Sequence, residues 1–256
     1  LMNLIAIVRD TNCAVTKQIL DYEPSESNNW NPTKVESKED LNTLLAQKLQ
    51  VNNCIAIQGP PGTGKTYRMA ALSAELLRQG KSVLVTALTN QALIELVKKK
   101  DLKDFLDAQK VTKTSLTVDE SKELPKLQPN KKNLCNAAPG YLSLATFYLS
   151  SAWAKDAIEI PFDYVIMDEA SQALYPMIAA SVKLGNKIIW IGDQNQLPPI
   201  VLTGDDVINR YDWGGIVKGF NTLCTNFSYP SYMLKDTFRL TERGAACTGI
   251  FYNNDL

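Results

Sequence analysis

A chain of 256 residues, 45% hydrophobic and 21% charged, can bury the core of one large domain, or of one domain with a small appendage. Lys+Arg and Asp+Glu both total 27, and this zero formal charge argues against a protein that coats nucleic acid over its whole surface, while leaving room for a local basic groove. Histidine is absent, which excludes histidine general bases, histidine-activated nucleophiles and histidine metal sites.

The cysteines (Cys13, Cys54, Cys135, Cys224 and Cys247) are odd in number, widely spaced and without a Cys-x-x-Cys pair. That is the pattern of reduced thiols in a cytosolic setting, with neither a disulfide nor a zinc site expected. No apolar run approaches the roughly 20 residues that span a bilayer, and the opening segment lacks the charged start and long apolar stretch of a signal peptide. The sequence therefore reads as soluble and cytoplasmic, or nuclear in a eukaryote, with no membrane partner.

In chain order, residues 3–8 (NLIAIV) predict a strand, 14–21 a short helix and 22–34 a polar loop. Residues 1–36 thus read as an N-terminal extension before a main domain over 37–256. Ser37-Lys38-Glu39-Asp40 ahead of Leu41, Leu44, Leu45 and Leu49 predicts a helix. Short apolar runs at 54–58, 82–87, 141–146, 163–168 and 187–192 predict strands. Helices are predicted at 65–79, 90–99, 148–155, 171–183 and 241–250. Near-continuous apolar strands between helices indicate an α/β fold, a mainly parallel sheet covered on both faces. The segment 98–133, with ten lysines, no arginine and six acids, reads as a solvated insertion or as a basic arm along a nucleic-acid backbone. The closing FYNNDL follows the last helix abruptly, as in a piece of a longer chain.

Two motifs carry chemistry. Gly59-Pro60-Pro61-Gly62-Thr63-Gly64-Lys65-Thr66 is a full G-x-x-x-x-G-K-[ST], placed between a strand and a helix. Its glycines let the backbone curl so that N–H groups face phosphate oxygens. Lys65 then bridges the terminal phosphates, Thr66 reaches Mg²⁺, and the helix turns its positive end to the anion. The strand DYVIMD ends in Asp168-Glu169. A carboxylate there can hold Mg²⁺ and the next can act as general base, so Asp168 is assigned to the metal and Glu169 to the attacking water.

Asp168-Glu169-Ala170-Ser171-Gln172 and Gly192-Asp193-Gln194-Asn195-Gln196-Leu197-Pro198-Pro199 resemble helicase motifs II and III, and over roughly 40–256 the chain is similar to superfamily 1B helicases of the branch that includes the nonsense-mediated-decay helicase. The resemblance implies a RecA-like P-loop NTPase fold, ATP and Mg²⁺ as cofactors, and single-stranded DNA or RNA as partner. By position, Gln196 resembles the glutamine that senses the γ-phosphate. In Leu234-Lys235-Asp236-Thr237-Phe238-Arg239, Phe238 would stack on the base, in place of the family's usual tyrosine, and Arg239 would contact the γ-phosphate. Thr89 and Asn90, and more weakly Thr146, would touch the nucleic-acid backbone. Two departures stand out. The family's adenine-reading glutamine has no clear counterpart, Asn42 lying near its position and Gln47 a turn too close. The second motor domain of the same polypeptide is missing. A nucleotide-switched binding module without unwinding activity is the alternative, weakened by the retention of Glu169. A AAA-type remodelling ATPase shares the phosphate loop but is disfavoured by the Gln-Leu-Pro-Pro segment.

Overall fold

The structure, a computed structural model, describes residues 2–9, 30–35, 40–130, 136–226 and 229–252. Among the described residues nine strands are formed: β1 (Thr33–Val35), β2 (Cys54–Gln58), β3 (Val83–Ala87), β4 (Val111–Lys113), β5 (Gln128–Pro129), β6 (Leu142–Thr146), β7 (Phe162–Met167), β8 (Gly185–Gly192) and β9 (Ser231–Leu234). They join in one sheet in the order β1-β9-β2-β8-β7-β3-β6-β4-β5, and every pairing is parallel. Parallel neighbours require crossovers, and the helices between strands supply them.

The two-residue period of a strand divides the core. Ile55, Ile57, Val83 and Val85 face the helices Leu41–Val51, Lys65–Arg78 and Asn90–Val97. Cys54, Ala56, Leu84, Val165 and Trp190 face the helices Phe147–Asp156, Tyr175–Leu184 and Gly219–Asn226. Both faces are therefore covered, as the apolar strands predict, and the fold is an α/β P-loop NTPase fold.

Three differences from the sequence expectation have physical causes. Residues 3–8 lie in a helix, Met2–Arg9, not a strand. Leu4 and Ile7, one helical turn apart, are buried against the helices of the second face, while Met2 and Val8 point outward. The five-residue apolar run Leu4–Val8 is compatible with either period, and packing decided. Within the expected loop at 22–34, Thr33 and Lys34 begin the edge strand β1 against β9. The predicted helix at 14–21 lies outside the described residues.

The lysine-rich stretch is also more structured than a solvated insertion: it contributes β4 and β5 to the sheet. Lys113 is buried there, donating from Nζ to the Ser115 carbonyl (2.7 Å) and to Glu120 (3.2 Å). Thr117 and Glu120 form a capping box at the start of the Val118–Glu123 helix.

Candidate nucleotide-binding site

Because the strands are parallel, all their carboxyl ends reach one edge of the sheet, the edge where such folds bind ligands. β2 delivers Gly59–Thr66 to that edge, β7 delivers Asp168 and Glu169, β8 the loop 193–196, and β9 the segment 235–239. A cleft of about 540 Å³ is lined by Gly62–Thr66, Asp168, Glu169, Gln196, Phe238 and Arg239 among others.

The phosphate loop has the geometry its glycines require. Gly62 and Gly64 have φ of 80° and 71°, left-handed values that a side chain would strain. A Cβ at Gly59 would collide with the Lys65 side chain, and one at Gly62 would stand 2.8 Å from Arg239 Cβ. The loop is tied to the sheet by Gly59 N–H donating to the Gly192 carbonyl (2.8 Å), and closed on itself by Thr63 Oγ1 donating to Pro60 O (2.8 Å). Lys65 Nζ donates to the carbonyls of Gly59 (2.6 Å) and Pro60 (3.2 Å). Burial pulls the Lys65 ammonium below the ordinary lysine range, opposed by Asp168, Asp193 and Glu169.

Asp168 is buried, and one oxygen accepts the Glu169 N–H at 2.9 Å. Burial first, and then the charge of Glu169, push its carboxyl up to about 7, against the pull of that N–H and of Lys65. A buried carboxyl so disfavoured as an anion is a natural partner for a cation. Glu169 sits at φ 53°, a strained conformation for a non-glycine residue that turns the chain sharply at the end of β7. Among the described residues no group of three or more Asp, Glu or Cys side chains gathers around a point. Oxygen-bearing side chains that line the cleft include Thr66, Asp168, Glu169 and Asp193.

The segment after β9 lies across the phosphate loop. Phe238 N–H donates to Gly62 O (2.9 Å) and Thr237 Oγ1 to Pro61 O (3.3 Å). Phe238 is 74% exposed, so its ring stands free over Gly64. It separates the cleft from a second cavity of about 490 Å³, lined by Asp40, Asn42, Gly64, Tyr67, Arg68 and Phe238. Asn42 reaches this cavity; Gln47 is exposed on the same helix and does not line it.

Gln196 donates through Nε2 to Asp193 Oδ2 (3.0 Å). Thr89, Asn90 and Thr146 lie away from the cleft, where the adjacent strands β3 and β6 end at Ala87 and Thr146. Thr89 caps the Asn90–Val97 helix, its hydroxyl accepting from Ala92 N–H at 3.2 Å. Residues that sequence patterns did not single out also belong to the site. Tyr67 and Lys99 line the cleft, and Lys100 Nζ lies 5.5 Å from the Tyr67 ring centroid. Tyr67 was legible as the residue after Thr66; Lys99 carries no motif.

A parallel α/β sheet with a Gly-rich loop after one strand and paired acids after another defines a P-loop nucleoside-triphosphatase domain. A family model described as "AAA domain" matches residues 42–205, and the chain belongs to that family. Among curated relatives, the DNA replication ATP-dependent helicase/nuclease DNA2 of Saccharomyces cerevisiae is 27% identical over 200 residues, 72% of this chain and 12% of the relative. DNA2 of Homo sapiens is 32% identical over 154 residues, 57% of this chain and 14% of the relative. An uncharacterized ATP-dependent helicase of Methanocaldococcus jannaschii is 31% identical over 98 residues, 37% of this chain and 13% of the relative. The chain thus spans a small fraction of the relatives it matches. Solved structures that resemble it include unliganded Pif1 from Bacteroides sp (TM-score 0.44, 17% identity, 82% of this chain and 44% of that one) and an arterivirus nonstructural protein 10 helicase in complex with DNA (TM-score 0.48, 14% identity, 78% and 40%). The chain has ATP-dependent helicases among its relatives.

Proposed function

We propose that this domain binds Mg-ATP and hydrolyses it as the first motor domain of a superfamily 1 helicase or translocase. The observation that carries the reading is the convergence of Lys65, Asp168, Glu169, Gln196 and Arg239, from the ends of four strands, on one cleft. The phosphate-loop N–H groups and Lys65 bind and orient the triphosphate, and Glu169 accepts the proton of the attacking water. Gln196 holds that water beside the γ-phosphate, and Arg239 offsets its charge. Thr66 and Asp168 would hold Mg²⁺, which would supply positive charge against the charge that develops on the transferred phosphoryl group. Phe238 stacks on the base from the rim of the second cavity, where Asn42 faces the base edge.

The finer assignment, to the branch that includes the nonsense-mediated-decay helicase, rests on the Gln196-Leu197-Pro198-Pro199 segment and the phosphate loop. The track is a single strand contacted by Asn90, Thr146 and Thr89, whose hydroxyl accepts the cap bond and keeps its own proton for a phosphate oxygen. The DNA2 relatives are named for DNA replication, so DNA is the first polymer to try. We take residues 37–256 as the core of the motor, joined by the parts of 1–36 that pack on it. A second motor domain would bring a further arginine to the γ-phosphate, a contribution of ~10³–10⁵ in rate. This chain by itself is therefore expected to bind ATP, turn it over slowly and unwind nothing. The test is the ATPase rate of the longer protein with and without single-stranded DNA or RNA, beside that of this chain. Stimulation by either polymer supports the motor; none by either would favour a nucleotide-switched binding module. Hexamers forming on addition of ATP would point to a remodelling ATPase.

A further inference from the structure

Asp193, the residue after β8, is almost completely buried, and its carboxylate accepts hydrogen bonds from four directions. Oδ1 accepts from Gln58 Nε2 (2.8 Å) and from Asn195 N–H (3.1 Å). Oδ2 accepts from Gln196 Nε2 (3.0 Å) and from the phenol of Tyr252 (2.6 Å). Tyr252 is itself buried, although Ile250 and Phe251 before it are exposed. Asn195 Nδ2 donates in turn to the Phe251 carbonyl (2.8 Å), so the Ile250–Tyr252 turn is fastened to the 193–196 loop at two points. Burial, and then the bond to Asp193, hold the Tyr252 phenol well above the ordinary tyrosine range, so it stays a donor.

This arrangement fixes the direction of the Gln196 amide. A carboxylate oxygen offers only lone pairs, so the side-chain NH₂ must face Asp193 and the carbonyl Oε1 is turned elsewhere. Gln196 lines the cleft, so its acceptor is the atom left for a water proton. A free amide would sample both orientations, and only one presents an acceptor.

We propose that Tyr252 is a positioning residue for nucleotide hydrolysis: by holding Asp193 Oδ2 it orients Gln196, and it couples the 250–252 turn to the γ-phosphate side of the cleft. The inference rests on the hydrolytic reading above. It predicts that movement of the 250–252 turn alters hydrolysis more than nucleotide affinity.

A double-mutant cycle on the 256-residue chain tests it, with single-turnover phosphate release, nucleotide affinity and thermal melting measured for each variant. Tyr252→Phe removes one hydroxyl. It is expected to lower the hydrolysis rate about tenfold, the worth of one charge-assisted hydrogen bond, with ATP affinity within about twofold. Gln196→Ala lowers the rate by itself, and adding Tyr252→Phe to it causes no further loss, because the phenol acts only through the amide. Multiplying losses, or an unchanged rate in Tyr252→Phe, overturn the proposal. Should Tyr252→Phe fail to fold, Asp193→Asn, which weakens the same acceptor, must show the same loss and the same lack of additivity. A second readout needs no turnover: the side-chain amide NMR signals of Gln196, identified by their loss in Gln196→Ala, must shift in Tyr252→Phe. If they stay in place the relay is wrong, whatever the chain hydrolyses. If they shift but the unaltered chain releases no phosphate, it is the hydrolytic reading that fails.

Discussion

At the scale of single residues, the proposed roles separate binding from chemistry. Lys65→Ala removes the ammonium proposed to meet the terminal phosphates and is expected to weaken Mg-ATP binding, as read by titration of a fluorescent nucleotide. Glu169→Gln keeps shape and hydrogen-bonding capacity but loses the base. Binding should persist while turnover in the longer protein falls by about 10²–10⁴, the usual contribution of a positioned base; full activity would remove Glu169 from that role. Asp168 makes a pH prediction. Its carboxyl, ordinarily near 3.8, is raised to about 7 in the fold. The folded chain therefore holds a proton that the unfolded chain has released across this window, and folding stability falls as pH rises from about 4 to about 7. Melting curves in chelator should show this slope, and Asp168→Asn should flatten it. These residues were legible because each motif joins a residue type to a strand end. Asp193 was visible in the same motif, but its role was not, since Gln58 and Tyr252 lie 135 and 59 residues from it in sequence.

At the scale of elements, the stretch 98–133 shows how composition can mislead. Ten lysines suggest solvent, yet Lys113 is 2% exposed on β4 and pairs with Glu120, which is 13% exposed. Removing one partner of a buried pair strands the other, so Glu120→Ala should cost about 3 kcal/mol in urea unfolding. Lys126, paired with Asp107 at the surface, should be replaceable by Ala without a measurable change. The amino-terminal helix teaches the same lesson from the apolar side. Ile7 is fully buried between helices of the second face, and Ile7→Ala is expected to cost about 3 kcal/mol through the lost methyl and methylene contacts and the cavity left behind. A loss under about 0.5 kcal/mol would return this helix to the status of a loose extension.

At the scale of the whole molecule, the parallel sheet explains why a site can be assembled from residues so far apart. Each crossover returns the chain to the same starting edge, so every strand ends at the opposite one. The loops after β2, β7, β8 and β9 meet there without any of them being long. The sequence by itself determined the α/β class, the strand and the helix that flank the phosphate loop, and the residues proposed here to meet phosphate and magnesium. These are local facts: an apolar run of five residues, a glycine where φ is positive, a lysine one step after it. Only the tertiary structure decided that NLIAIV is a helix, that the lysine-rich stretch extends the sheet, and that Tyr252 reaches Asp193. Each of those outcomes turns on which distant surface was available to bury a side chain or pair a polar group, and no local pattern of residues encodes that.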